Sequence, residues 1–301
     1  MRIIDAHAHV FERLSGFGSQ GELRPVGQGR GRWATGEEIQ VVPEKYGNYD
    51  FCPEQLIDLM DRNGVDKAVL LQGGLYGFQN EFVFEVVSRF PKRFVGSGTF
   101  DPLCKGAERI LDRLIEDFRF RILKFELSSG AGLMSFHETL EIDGPQMEIV
   151  WQRAASQDVV VVLDIGNYGM ESFQVDAVVR VMQKYPNLRM VLAHLLAPSP
   201  GFEEQWKEAI LKLRNTTISF DITALPWNIR EPYPYPTAGD FLAKAKNLVG
   251  SERLIWGSDA PILLTVASYQ HLKDFVMKAG VFTDSELERV MGANAGEIYD
   301  A

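Results

Sequence analysis

With 301 residues, 46% of them hydrophobic and 24% charged, the chain has the profile of a soluble globular protein with a full core. Its formal net charge of −10 argues against a nucleic-acid or anionic-membrane partner, because a phosphate backbone asks for a basic face. Cys52 and Cys104 fit neither a disulfide nor a zinc spacing, no apolar run is long enough to span a membrane, and no leader-like stretch precedes the first strand, so the cytoplasm is the expected compartment.

The opening MRIIDAHAHV predicts a strand over residues 2–10. Alternation along it puts Asp5, His7 and His9 on one face and Ile4, Ala6, Ala8 and Val10 on the other. Two imidazoles on one face could grip a single metal ion. Residues 10–52 follow as a long connection with eight glycines, Arg13, Arg24, Arg30, Arg32 and Trp33. Its "GQGRGRW" lacks the strand-turn-helix setting of a dinucleotide site. "PEQLIDLMDRNG" (53–64) predicts a helix, with Pro53 in its first turn and Gly64 just past its end. "DKAVLLQ" (66–72) and "RFVGSGTF" (93–100) predict the second and third strands. A helix then carries Ala107, Ile110, Leu111, Leu114, Ile115 and Phe118 along one face. Strands recur at 121–127, 159–165, 189–195, 216–222 and 253–259, separated by helical stretches near 144–157, 173–185, 202–214 and 238–249. The connection 223–237 holds four prolines and should be stiff and extended. Helices near 266–279 and 284–292 close the chain.

Eight strands alternating with helices signal an α/β fold of parallel βαβ units, which suits a (β/α)8 TIM barrel forming one domain over 1–301. A doubly wound open sheet is the alternative, and no glycine-rich fingerprint supports it. Both long connections follow strands, the first and the seventh. They therefore lie on the C-terminal face of a barrel, where such folds do chemistry.

Buried parallel strands should read as unbroken apolar runs, so polar residues near their C-terminal ends need a reason. Here they are His7 and His9, Lys124 and Glu126, Asp164, His194, Asp221 and Asp259. Three of the five histidines in the chain fall at these positions; His137 and His271 read as loop and helix-surface residues. Glu126, Asp164 and Asp259 would crowd three carboxylates into one mouth, with Asp221 more simply read as a structural ion pair or cap. Lys124 offsets one of those charges. A divalent cation would offset two more and account for both imidazoles, so the set as a whole predicts a metal site.

The chain resembles the amidohydrolase superfamily, in the branch called amidohydrolase 2, along essentially its whole length. The resemblance rests on "DAHAH", "RFVGSGTFDP" (93–102), "LKFE", "LAHLLAP" (192–198), "LIWGSDAP" (254–261) and "GANAGEIYD" (292–300). That branch holds metal-dependent TIM-barrel hydrolases, lactonases and decarboxylases of the aminocarboxymuconate semialdehyde decarboxylase type. The resemblance implies that His7, His9 and Asp259 bind a divalent metal and that His194 binds substrate or a second metal. Two departures stand out. Asp164 replaces the family's strand-five histidine, and Lys124-Phe125-Glu126 stands where many relatives have Lys-x-His. A carboxylate hardens the ligand set toward manganese or zinc. Glu126, or a carbamylated Lys124, could bridge two ions with Asp164 and His194 holding the second; alternatively Asp164 only pairs with Lys124.

The expected activity is a metal-dependent hydrolase acting through an activated water on an amide, a lactone or a related bond of a small carboxylate-bearing substrate. Asp259 would relay the water proton and His194 would stabilise the oxyanion. Arg30 and Arg32 would hold the substrate carboxylate, under Trp33 or Trp227. One or two zinc or manganese ions are expected, and no organic cofactor. A non-oxidative decarboxylase on the same scaffold is the alternative, and a metal-poor binding protein a further one. Barrels of this size often pair, so a homodimer is compatible with the chain.

Overall fold

The computed structural model describes residues 1–138 and 140–301. Eight parallel strands build its centre: β1 (Ile4–Ala8), β2 (Lys67–Leu70), β3 (Phe94–Gly96), β4 (Ile122–Glu126), β5 (Val160–Asp164), β6 (Met190–Leu192), β7 (Ser219–Asp221) and β8 (Leu254–Ile255). β1 to β3 pair in chain order, and so do β4 to β8. Two seams join these arcs into a ring. Between β3 and β4, the Gly98 amide donates to Ile122 O, and the Lys124 amide donates to Gly98 O, each at 2.9 Å. Between β8 and β1, Ala6 N donates to Trp256 O at 3.0 Å and Asp259 N to His7 O at 2.7 Å. Sequential order with both edges joined is a (β/α)8 barrel, and it leaves no place for an open doubly wound sheet.

Each strand predicted from the sequence is present, and so are the helices between them. A helix over Asn80–Arg89, between β2 and β3, was not among those expectations. Inside the barrel, Ile4, Ala6, Val69, Leu71, Ile122, Val160, Val162, Val191 and Ile255 pack together, over Tyr299 of the last helix. Every second strand residue faces outward instead, into the larger core shared with the helices. No helix among the described residues is long and apolar enough to cross a membrane.

The two long connections differ from expectation. Residues after β1 form a four-stranded antiparallel meander of Gly16–Gly18, Gly21–Gly27, Arg30–Trp33 and Glu38–Gln40. The glycine-rich "GQG" is the turn of its central hairpin, with Gln28 and Gly29 at positive φ, as a tight reversal of this kind needs. The connection after β7 is not extended. It folds into a short helix, Leu225–Ile229, with Pro226 in its first turn, where a missing amide costs no hydrogen bond. Pro236 opens the following helix, Pro236–Val249, in the same way.

Candidate active site

The first strand does not keep strict alternation, and the site depends on that. Its pairing with β2 shifts register between Asp5 and Ala8. Before the shift Ile4 and Ala6 face the barrel interior, and Asp5 faces outward, accepting bonds from Ser258 N, Ser258 Oγ and Tyr269 Oη at 2.8, 2.6 and 2.7 Å. After it, Ala8 and Val10 join the outer core, and His7 and His9 turn toward the mouth. The expectation of Asp5, His7 and His9 in one row is therefore corrected: an irregularity in the ladder re-aims the side chains. Gly257 on the β8 side leaves room for this. A Cβ there would sit 2.7 Å from both the Cβ and the amide nitrogen of His7.

Both imidazoles are held by their inner nitrogens. His7 Nδ1–H donates to Asp221 Oδ2 at 2.5 Å, and His9 Nδ1–H donates to the Leu71 carbonyl at 2.9 Å. The carbonyl can only accept, so the His9 proton lies on Nδ1. Each neutral ring then presents a bare Nε2. His9 Nε2 lies 3.1 Å, and His7 Nε2 3.7 Å, from Asp259 Oδ1. Two lone pairs facing a carboxylate repel one another unless a cation sits among them. All three side chains are buried, and their ligand atoms lie within 4.8 Å of one another. The donor set of two imidazoles and a carboxylate fits a divalent metal. A second cluster, His7, His194 and Asp221, reaches the same proximity. Its atoms are committed to each other, however, because Asp221 also accepts bonds from the Thr223 amide (2.8 Å) and the Thr223 hydroxyl.

Thr223 extends the chain to His194. Its hydroxyl hydrogen goes to Asp221, so its oxygen accepts from His194 Nδ1–H at 2.7 Å. His194 Nε2 is left to face Asp164 Oδ2 at 3.7 Å, and its ring stacks on His7 with centroids 4.9 Å apart. The backbone here is unusual. His194, Leu195, Leu196 and Ala197 all have positive φ, between 43° and 60°, which makes one left-handed turn. Each such residue costs about 1–2 kcal/mol, and strain of this kind gathers at functional sites.

The charges follow from burial and neighbours. Burial pushes His7 down to about 4, against the pull of Asp221, and keeps it the neutral imidazole that a metal ligand must be. Burial would raise Asp221, but the His7 ring and the Thr223 hydroxyl hold it well below the usual carboxylate range. Burial likewise opposes ionisation of Asp259, and without a cation only a proton shared with the surrounding imidazoles would bring it below its ordinary value; a bound metal would take over that part. His194 is raised: burial acts against its charge, and Asp164, Asp259 and Asp221 outweigh it. Glu126 is raised by burial despite Lys124.

These groups open into a cavity of about 390 Å³ lined by His7, His9, Lys124, Glu126, Asp164, His194, Trp227 and Asp259, among others. Lys124 is only 2% exposed and makes no ion pair within 4 Å among the described residues, so its ammonium is left to the cavity. Pairing of β4 with β5 sets Glu126 beside Asp164. Glu126 Oε2 accepts from Gly74 N at 2.8 Å, and a Cβ on Gly73 would collide with it at 2.4 Å, so the glycines after β2 clamp this carboxylate. Among the described residues no three-ligand cluster contains Glu126 or Asp164. Asp164 faces His194 at 3.7 Å and Glu126 stands beside it, but among the described residues the three do not converge as tightly as His7, His9 and Asp259.

The remaining expected site residues divide. Trp227 lines the cavity. Arg30, Arg32 and Trp33 do not, because the period of two on their meander strand sends both arginines to solvent and the indole into the core. Arg30 and Arg32 pair instead with Glu38 across the strand, at 3.0 and 2.6 Å. Sequence reasoning passed over Tyr76 and Asn228, both on the cavity wall, and gave Asp221 only a structural part. The strand-end carboxylate was a usable signal for Asp221. For Tyr76 the only hint was its glycine-flanked turn, "GGLYG".

Comparison with known proteins gives the chain its family and fold. A family model described as "Amidohydrolase" matches residues 4–301. The L-fucono-1,5-lactonase of Burkholderia ambifaria is 25% identical over 217 residues, 71% of this chain and 71% of that protein. An amidohydrolase from Burkholderia multivorans with bound zinc superposes with a TM-score of 0.74 at 17% identity, covering 100% of this chain and 99% of that one. A structure from Acinetobacter baumannii named probable 2-pyrone-4,6-dicarboxylic acid hydrolase, with citric acid bound, gives a TM-score of 0.73 at 17% identity and covers all of both chains.

Proposed function

The chain belongs to the amidohydrolase family, and on that premise we propose that it hydrolyses a lactone or a related ester-like bond in a small substrate, with a divalent cation held by His7, His9 and Asp259. The observation that carries this reading is the convergence of two bare Nε2 atoms on Asp259 Oδ1 inside the cavity. A bound zinc or manganese ion would supply a water of lowered pKa and polarise the substrate carbonyl.

The chain's own residues account for the proton traffic. Asp259 accepts a proton from the attacking water as the water oxygen bonds to the carbonyl carbon. The ring C–O bond then breaks, and Asp259 returns that proton to the departing oxygen. His194, fixed by Thr223 and raised by three carboxylates, points Nε2 into the cavity and donates to the oxygen on which charge builds. Lys124, a cation of the wall without an ion-pair partner among the described residues, takes the place assigned to Arg30 and Arg32 as the seat for a substrate carboxylate or carbonyl. The lactonase relative supports the choice of a lactone over an amide. The two free cysteines, Cys52 and Cys104, support a cytoplasmic setting.

The test is a panel of γ- and δ-lactones, amides and hydroxybenzoates offered to the purified protein, with acid release and CO2 release followed separately. Lactone opening that falls after chelation and returns with zinc or manganese is expected. CO2 release without acid release would replace the reading with carboxy-lyase chemistry. Lactone opening indifferent to chelation, in protein shown by elemental analysis to hold no metal, would remove the cation from it.

A further inference from the structure

Buried polar side-chain atoms nearly always find partners, because one left without a partner has given up water for nothing. Among the described residues, six such atoms have no hydrogen-bond partner, and two of them lie on the wall of the catalytic cavity: Tyr76 Oη and Asn228 Nδ2. Two of the others, on Asp112 and Arg189, belong to ion-paired groups. Those on Asn294 and Tyr299 lie outside the cavity lining.

Tyr76 is built to stay where it is. It is 5% exposed, and its ring is sandwiched between Phe11, stacked at 5.0 Å and 17°, and His9, at 4.6 Å. The turn that carries it is closed by the bridge between Gly73 and Gly77 and by the Tyr76 amide donating to Gly73 O. Gly74 cannot be replaced there without a clash, since a Cβ would lie 1.9 Å from Ala131 O. A phenol this well fixed loses little entropy when it bonds a ligand. Its oxygen lies toward the Ile262 backbone amide without a full hydrogen bond, and its hydroxyl faces the cavity that Asp259 and Glu126 also line, so the O–H is left to a ligand. Asn228 stands at the other insertion, on the short helix Leu225–Ile229 beside Trp227.

We infer that Tyr76 and Asn228 are substrate-contacting residues: the Tyr76 hydroxyl donates to an oxygen of the scissile ester group, and the Asn228 amide donates to a second oxygen elsewhere on the substrate. This rests on the lactone reading given above. It adds a substrate feature, namely acceptor oxygens at both ends of the molecule. A single-ring lactone bearing a further hydroxyl or carboxylate has that feature, and a simple alkyl lactone lacks it.

The experiment compares Tyr76→Phe and Asn228→Ala with the unaltered protein on glucono-1,5-lactone and on δ-valerolactone. Tyr76→Phe keeps the ring stack, so thermal unfolding should not move. Its kcat should fall roughly 100-fold on both lactones with KM nearly unchanged, as for an interaction made in the transition state. Asn228→Ala should raise KM about tenfold on glucono-1,5-lactone and leave δ-valerolactone unaffected. A Tyr76→Phe enzyme within about threefold of the parent, or an Asn228→Ala effect equal on both lactones, would overturn the corresponding assignment while leaving the hydrolase reading intact. If the unaltered protein opens neither these nor any other lactone, the hydrolase reading falls and takes this inference with it.

Discussion

The two insertions at the barrel mouth are opposites. The one after β1 is the longer and holds four arginines, yet it folds on itself as a meander. Arg30 and Arg32 share Glu38, Arg24 pairs with Glu22, and Trp33 is consumed in its own packing. The one after β7 is shorter and proline-rich, and it lays Trp227 and Asn228 on the cavity wall. Length and charge of a loop are thus poor guides to its part in a site. What counts is whether the segment satisfies its own polar groups or leaves them facing the mouth.

Four changes would break or sharpen that contrast. The barrel end itself sets the upper scale: Asp259→Asn should lower kcat/KM for lactone opening by roughly 10³-fold with the fold retained by circular dichroism. Next comes the strand that feeds the first insertion. Burial raises Asp5 from 3.8 to about 6, which penalises its ionised form in the native state. Native stability from this group is therefore full below pH 3.8 and lost as pH rises through about 6. Urea unfolding of Asp5→Asn at pH 4 and pH 6.5 should show a pH dependence shallower by roughly 2 kcal/mol. On the second insertion, Trp227→Ala should raise KM about tenfold, read from initial rates. The smallest effect belongs to the first insertion. Replacing Arg30 and Arg32 together by alanine should leave kcat/KM within about twofold and cost less than about 1 kcal/mol of stability, as exposed pairs do. A larger loss of activity in that double variant than in Trp227→Ala would reverse the comparison.

The barrel was legible because its code is local. β-branched runs such as "VVVVLDI" and single-face helices repeat along the chain, and a polar residue at a strand end needs no long-range information to be noticed. His7, His9, Lys124, Asp164, His194 and Asp259 were found that way, and all line one cavity. What escaped depends on contacts between distant residues. The register shift in β1 arises from its fit against β2 and β8, so a strict period of two misplaced Asp5. The pairing of Arg30 and Arg32 with Glu38 follows from the hairpin register. Tyr76 gains its meaning only when Phe11 and His9 close on it. Asp221, suspected and set aside, proves to orient both His7 and, through Thr223, His194.

The left-handed turn at His194–Ala197 bears on the order in which the molecule is made. An unfolded chain seldom visits four such residues in succession, since each costs about 1–2 kcal/mol before any compensating contact exists. The turn can settle only once β7 is alongside to offer Asp221 and Thr223 as anchors. Hydrophobic collapse and helix formation would precede it. Recovered turnover is therefore a stricter gauge of complete refolding than far-ultraviolet ellipticity.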